Sequence, residues 1–436
     1  MVPPPRRHGR DDVPVNTTAT EDELEPVGLI RQSGAVLRLG RLSLSAGTGS
    51  YRVKATMERA ARALGMARHE AHVTLTEITA TSHRGPIFRT EVTEVRSIGV
   101  NSDRLMEIER YVSALPEETT VEELERGVDR IASKPLLYGR VANALFAAVA
   151  CAAFAFLNNG GPVECAGVFL AAGSGQLLRR TLLHKGFNQF AVTMLAACLA
   201  SFMYLGLMMA LDSTVAAWGG HEAGYVSAVL FLVPGFPLVT GALDLAKLDY
   251  SAGVARLTYA VMILMSAALA VWGVSTLAGV TPDVVQPLDI PTGLLLTLRL
   301  VASFLGVLGF ALMFNSPWTM ALSAATIGMV ANVLRISVVE QGLAPQAAAA
   351  IAACLVGLIT AVVAPAIDVP RVTVYVPAVV IMVPGATAYR AVYYLNDHAS
   401  TTALGYAVDA GLIVIALAIG LALGRMLTDR GWMFER

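Results

Sequence analysis

The stretch "LVPGFPLVTGALDL" (residues 232–245) sets two prolines inside a run otherwise apolar enough for a buried helix, and "MVPGATAYRAVYYL" (382–395) repeats its Val-Pro-Gly core. Proline lacks an amide N–H and its ring clashes with the preceding turn, so it breaks or kinks a helix interior. Each proline here removes one helical hydrogen bond and displaces the carbonyl four residues back, at Leu230 and Val380. The glycines that follow, Gly235 and Gly385, allow backbone conformations other residues avoid. Working outward, the surroundings have the composition of a membrane protein: 55% of the 436 residues are hydrophobic and the mean hydropathy is +0.60. At membrane depth, freed backbone groups are tolerable only where protein or a water-lined cavity satisfies them.

Charge divides the chain in two. Of the 65 Lys, Arg, Asp and Glu residues, 39 fall in positions 1–136, and the remaining 300 positions hold 26. A charged head therefore precedes a membrane body. The formal net charge is −1 and there is no long basic block, which excludes the electrostatic footprint of a nucleic-acid binder. The division expected is a disordered tail at 1–25, rich in Pro and charge, an α+β domain at 26–135, and two membrane repeats at 136–285 and 286–436. The first residues lack the apolar core of a signal peptide.

In the head, "SYRVKATMERAARALGM" spaces Val53, Met57, Ala60 and Leu64 as a helix that Gly65 stops. "HVTLTEITA" and "IFRTEVTEV", joined by "SHRGP", predict a hairpin. "SDRLMEIERYVSAL" and "TVEELERGVDRIAS" predict two helices opened by Ser102 and Thr120 as N-caps. Three histidines (His69, His72, His83) fit no metal-ligand spacing. The Gly-Thr-Gly turn at 47–49 lacks the Lys-Ser/Thr ending of a phosphate loop, and a plain loop-to-helix turn is expected. The four cysteines lie apart in apolar runs, as small packing residues do. No cofactor or metal is expected.

After residue 136, ten apolar stretches follow that could span a ~30 Å hydrocarbon core: 137–157, 163–178, 188–211, 223–244, 254–278, 293–313, 317–335, 346–364, 371–394 and 404–425. Lys and Arg concentrate in alternate connections, which puts both termini and the head in the cytoplasm. "FAFLNNGGPVECAGVFLAAGSGQLLRR" (154–180) aligns with "FALMFNSPWTMALSAATIGMVANVLRI" (310–336), and the Val-Pro-Gly pair follows at a matching interval. Five spans per half is odd, so the second copy enters from the opposite side. The expected fold is an all-α polytopic membrane protein of about ten transmembrane helices, built as two five-helix inverted repeats typical of secondary transporters. Inversion also carries Arg335 outside while its counterpart Arg179 stays cytoplasmic.

A half-helix beginning at each Pro-Gly would aim its positive end at an anion, and the displaced carbonyls would suit an ammonium. One isolated Pro-Gly is a packing kink; recurrence in two inverted halves favours a site. Pro234, Gly235, Pro384 and Gly385 are therefore the first substrate-binding candidates. Gln176 and Asn332 are polar contacts or interhelical glue, and Arg390 is a candidate anion contact. Ionisable groups within spans mark function, which makes Asp409 and Asp244 the proton-coupling candidates. The alternative for each of these three charged residues is an interfacial or snorkelling position.

The order of parts resembles the threonine/serine exporter family. The resemblance rests on "GTGSYRVKATMERAARALGM" in the head, on "VPGFPLVTGALDL" followed by "AGVARL" (252–257), and on "VPGATAYRAV". It extends over nearly everything after about residue 28. It implies export of threonine and serine across the cell (inner) membrane, driven by the proton motive force, by a protein that is not an enzyme. Related two-protein systems imply a dicarboxylate such as succinate as the alternative substrate. The resemblance assigns no residue roles. Expected partners are the small substrate, protons and the lipid bilayer, with a homo-oligomer as a further expectation. Two rival functions stand against export. Intramembrane proteases fail because "AGSG" (172–175) and "GALD" (241–244) each miss one glycine and no histidine lies in a span. A membrane-anchored sensor or scaffold would lose all function on removal of the head, whereas a transporter core would retain flux.

Overall fold

The computed structural model describes residues 27–95, 99–212, 224–280 and 288–433; the expected tail at 1–25 lies outside them. The N-terminal region contains α1 (Val27–Ser45), α2 (Ser50–Ala63), strands β1 (Arg68–Val73), β2 (Glu77–Arg84) and β3 (Ile87–Glu94), then α3 (Ser102–Ser113) and α4 (Val121–Ser133). Its apolar core is separate from that of the bundle: Leu39 of α1, Val53 and Met57 of α2, Ile78 of β2 and Leu124 of α4 are fully buried together. The helical spacing in α2 places Val53, Met57, Ala60 and Ala61 on that inner face. The sheet is antiparallel in the order β1-β2-β3.

Two local expectations need correction. The run "HVTLTEITA" is not one strand: Thr74 N–H donates to Glu77 O at 2.9 Å and turns the chain, so β1 and β2 are successive strands and the sheet has three. The N-cap of α3 is Asn101, whose side chain accepts from Arg104 N–H, and Ser102 is already helical. Thr120 does cap α4, in a reciprocal capping box with Glu123.

The rest of the chain is helical: α5 (Arg140–Leu157), α6 (Pro162–His184), α7 (Gln189–Asp212), α8 (Gly224–Ala228) with a 3-10 turn at Leu230–Leu232, α9 (Gly235–Ala246), α10 (Tyr250–Ala278), α11 (Thr292–Met313), α12 (Trp318–Glu340), α13 (Pro345–Ala366), α14 (Arg371–Val380), α15 (Gly385–Asn396), α16 (Ser400–Met426) and the short α17 (Arg430–Met433). Among the described residues, seven helices are long and apolar enough to cross a membrane, or nine spans when each bent pair counts as one. The bent pairs are Gly224–Leu232 with Gly235–Ala246, at 60°, and Arg371–Val380 with Gly385–Asn396, at 52°. α6 is 23 residues long yet does not join that set; it carries Glu164, Arg179 and Arg180. The chain is a multi-pass membrane protein.

Backbone irregularities recur in the two series α5–α10 and α11–α16. Asn159 (φ 68°) and Asn315 (φ 62°) take left-handed conformations after α5 and α11. Gly186 and Gly342 do so after α6 and α12, and Leu248 (φ 62°) and His398 (φ 59°) after α9 and α15. The start of α5 lies beside the end of α11, where Leu137 N–H donates to Asn315 Oδ1 at 2.9 Å.

Candidate functional site

The two Pro-Gly motifs are not kinks inside continuous helices. Pro234 (φ −80°, ψ 58°) and Pro384 (φ −79°, ψ 58°) each precede a helix that begins at the following glycine. That geometry is an inverse γ-turn, closed by Gly235 N–H to Val233 O and Gly385 N–H to Val383 O, both 2.8 Å. The helices then restart on the proline carbonyls: Leu238 N–H donates to Pro234 O at 3.0 Å and Ala388 N–H to Pro384 O at 2.9 Å. The displaced carbonyls of Leu230 and Val380 accept from Val233 N–H and Val383 N–H at 3.1 Å each. They are thus engaged inside the break. What the breaks leave over is amide donors in the first turns of α9 and α15.

The breaks meet. A Cβ added to Gly235 would stand 3.1 Å from Val380 Cγ1, and one added to Gly385 would stand 2.8 Å from Val233 Cγ2. A side chain at either position would press on the other pair, more severely at Gly385 than at Gly235. A cavity of about 20 Å³ remains at this crossing, lined by Leu230, Val233, Val271, Gly385, Ala388 and Tyr389. That is the room of about one water, so the crossing is closed to anything the size of an amino acid. On the α8 side, the buried Tyr225 ring meets Tyr389 edge to face, centroids 6.1 Å apart.

The other predicted residues lie apart from this crossing. Gln176 of α6 donates to Asn143 Oδ1 of α5 at 2.7 Å, an oxygen that also accepts from Arg180 Nε at 3.0 Å, while Asn143 Nδ2 donates to Met313 O of α11. Asn332 of α12 donates to Ser303 Oγ of α11 at 2.9 Å and accepts from Arg335. Both buried amides tie helices together beside an arginine. Arg390 follows Tyr389 on α15 and is half-buried. Asp409 is exposed on α16, with Gln346 Nε2 at 3.4 Å from its Oδ1.

Asp244 lies in the last turn of α9, fully buried, and forms an ion pair with Arg256 of α10 at 2.9 Å. Its other oxygen accepts from Ser50 N–H at 2.9 Å and from Ser50 Oγ at 3.2 Å. The carboxylate of the membrane body thereby caps the N-terminus of α2 in the head, where negative charge is favoured. Arg256 donates to Thr48 O at 2.6 Å, completing the joint. Gly49 is required there: a Cβ on it would stand 2.8 Å from Asp244 Oδ1. The "GTGS" turn is a docking loop, and its anion is a side chain of the same protein.

Three features were missed by sequence reasoning. Tyr225 and Tyr389 read as ordinary aromatic residues of apolar runs. Glu164, buried in the first turn of α6, stood at the edge of the shortest predicted span. Arg256, near the start of the expected span 254–278, counts in the sequence only toward the charge rule, although its side chain is 3% exposed and pairs with Asp244. Its one signal was a basic residue twelve positions after an acidic one across a short turn.

The family profile described as "Putative threonine/serine exporter" matches residues 35–278, and a second, "Threonine/Serine exporter, ThrE", matches 299–427. The chain belongs to the threonine/serine exporter family. The gap between the two matches spans the connection from α10 to α11 and the first turns of α11, so the first runs from within α1 through α10 and the second from within α11 through α16. Among relatives of the family, "Probable succinate transporter subunit YjjP" of Escherichia coli is 31% identical over 258 residues, 56% of this chain and 96% of that protein. The Klebsiella aerogenes protein of the same name is 28% identical over 53% of this chain and 90% of its own length. "Probable threonine/serine exporter" of Mycobacterium tuberculosis is 24% identical over 97% of this chain and 82% of its own. No solved structure matches.

Proposed function

We propose that this exporter moves threonine and serine out of the cell by alternating access, with the substrate held where the two breaks cross. The observation that carries the reading is the reciprocal packing of Gly235 against Val380 and of Gly385 against Val233. Half-helix N-termini that face each other can receive a carboxylate on first-turn amides, and rocking one pair against the other would open the crossing. The 20 Å³ cavity then belongs to a closed stage of the cycle.

The same reading takes α5–α10 and α11–α16 as two five-span inverted repeats, with α6 as the tenth span. Matching backbone turns and the pairing of the start of α5 with the end of α11 support it. Under the charge rule the head and both termini face the cytoplasm of a cell (inner) membrane. Protons drive the cycle; Asp409 and the buried Glu164 are the carboxylates proposed to carry them, while Asp244, bonded to Arg256 and Ser50, is proposed to hold the head in place. Full-length similarity to a threonine/serine exporter favours the amino acids. Succinate is the second reading, favoured by the higher identity of the first half to a succinate transporter subunit.

The test loads cells with threonine-containing dipeptides or with succinate and follows efflux of threonine, serine and succinate with and without the protein. Threonine and serine efflux should rise. Unchanged efflux of all three sinks the proposal, and a rise in succinate alone selects the second reading.

A further inference from the structure

A second polar site lies between the head and the bundle. The first turn of α2, the end of α3, the end of α13, the start of α14 and the end of α16 wall a cleft of about 310 Å³. Its lining includes four arginines: Arg52, Arg110, Arg371 and Arg425. Glu109, Asp368 and Asp429 are the acidic residues around it. Four cations against three carboxylates leave a formal surplus of one positive charge.

The arginines differ in how their donors are used. Arg110 is committed to Asp368, through Nε to Oδ2 at 2.9 Å and Nη2 to the backbone oxygen at 3.1 Å. Arg371 reaches Thr428 Oγ1 at 3.1 Å. Arg52 stands 3.6 Å from Glu109, and its Nε is buried without an acceptor among the described residues. Arg425 contacts Asp429 at 3.3 Å through Nη2 alone; its Nε and Nη1 are likewise buried without an acceptor. The Trp432 ring covers the Arg425 guanidinium at 5.0 Å and offers a π face, which leaves the in-plane N–H groups unanswered. Buried donors on a charged group are costly to leave unpaired. The N-terminus of the ten-residue α14 opens into the same cleft at Pro370 and Arg371, adding its positive end.

We propose that this cleft binds the carboxylate of a small organic acid or amino acid before it passes to the breaks. Planar guanidinium forks match carboxylate oxygens, and the volume is at the lower end of small-molecule sites. α14 leads from the cleft toward the second break, about 15 Å for ten residues at 1.5 Å each. The inference rests on the export reading for its direction of travel, because the cleft is the inner station only if the head is cytoplasmic. Threonine and succinate share the carboxylate, so the chemistry does not depend on which is exported.

The test uses purified full-length protein reconstituted in nanodiscs. Binding of L-threonine, succinate and inorganic phosphate is titrated calorimetrically for the wild type, Arg425→Gln and Arg52→Gln. Efflux from proteoliposomes gives the half-saturating inner concentration and the maximal rate. Arg425→Gln and Arg52→Gln should each weaken carboxylate binding about tenfold and raise the half-saturating concentration similarly, with the maximal rate kept. Arg52→Lys should recover part of the loss, which a purely structural role would not require. Wild-type affinity in both glutamine variants overturns the proposal, as does binding of phosphate without either carboxylate. Should Arg425→Gln fail to fold, Arg52→Gln alone decides. Carboxylate binding that is lost in these variants, in a protein that exports nothing, would uphold the site and reject the export reading.

Discussion

The first break restarts as Gly235-Phe236-Pro237 and the second as Gly385-Ala386-Thr387, on prolines whose backbone angles agree within a degree. Beyond that shared start the two diverge. α9 runs to Asp244, which is locked to Arg256 and to Ser50 of the head, and the next residues reach Trp432 through Lys247, whose Nζ stands 4.4 Å from the ring centre. α15 runs to Asn396 and the exposed Asp397 and His398, with no comparable buried charge pair among the described residues. Proline at the third position of α9 also removes an amide that α15 keeps at Thr387. One half-helix is tied to the head through Asp244 and has one first-turn amide fewer than the other. If the proposed alternating access holds, this difference would make α9 the fixed jaw and α15 the jaw that binds and moves.

Breaking the anchor should give the largest effect. Asp244→Ala leaves the Arg256 guanidinium buried without its counter-charge, a loss of about 3–5 kcal/mol. Thermal unfolding of the detergent-solubilised protein, followed by tryptophan fluorescence, measures it. Asp244→Leu with Arg256→Leu should recover much of the stability, because neither charge is then stranded. If Asn396→Ala at the end of α15 costs as much as Asp244→Ala, the halves are equally anchored and the contrast fails.

Next comes the crossing itself. An alanine methyl at Gly385 meets Val233 at 2.8 Å and Leu230 at 3.0 Å, whereas one at Gly235 meets Val380 at 3.1 and 3.2 Å. Overpacking of this kind costs about 1–3 kcal/mol. Gly385→Ala should therefore slow efflux more than Gly235→Ala. The reverse order would locate the tighter, more mobile contact on α9.

A donor exchange sharpens the point at lower amplitude. Thr387→Pro removes one first-turn amide from α15 at a helix position where proline is tolerated. If that amide meets the substrate carboxylate, the loss is about 1 kcal/mol, or roughly fivefold in the half-saturating concentration. Pro237→Thr, which gives α9 the same amide, should leave that concentration unchanged. Equal responses would mean that neither helix start is the anion site.

How much of this was legible in the sequence depends on distance along the chain. The paired breaks announce themselves, because Val-Pro-Gly is a local signal whose backbone consequence is fixed by the proline ring. The capping box at Thr120 and Glu123 is local too. The joint is not: Ser50 and Asp244 lie 194 positions apart, and nothing in "GTGS" says that its anion is a carboxylate of the bundle. Gln176 and Asn332 carried the right polarity but not the direction, since an amide at helical spacing serves a neighbouring helix or a substrate equally well. The cleft arginines come from four different elements, so nothing local in the sequence brings them together. The third strand was hidden because the turn at Thr74–Thr76 uses threonines that a strand also accepts.

The smallest effect tests whether the head acts through its joint or through its general stability. Thr120→Ala removes the N-cap of α4, on the head's own core, and should cost about 1 kcal/mol. Glu123 accepts from the Thr120 backbone and from Thr119, which holds its carboxyl below the usual glutamate range. The stabilisation it provides is therefore present above the unfolded-state value and is lost as pH falls through the lowered folded-state value. Both donors remain in Thr120→Ala, so head melting in that variant should keep the wild-type acid dependence, whereas Glu123→Gln should weaken it, with efflux at neutral pH unchanged in both. Ser50→Ala removes the single hydroxyl that lies between Asp244 and Asp249, keeps the Ser50 N–H bond to Asp244, and leaves the capping box intact. It should lower efflux while barely moving the head's melting. If Thr120→Ala lowers efflux as much as Ser50→Ala does, then a loosened head impairs transport by any route, and the anchoring of α9 through Ser50 has no special part in the cycle.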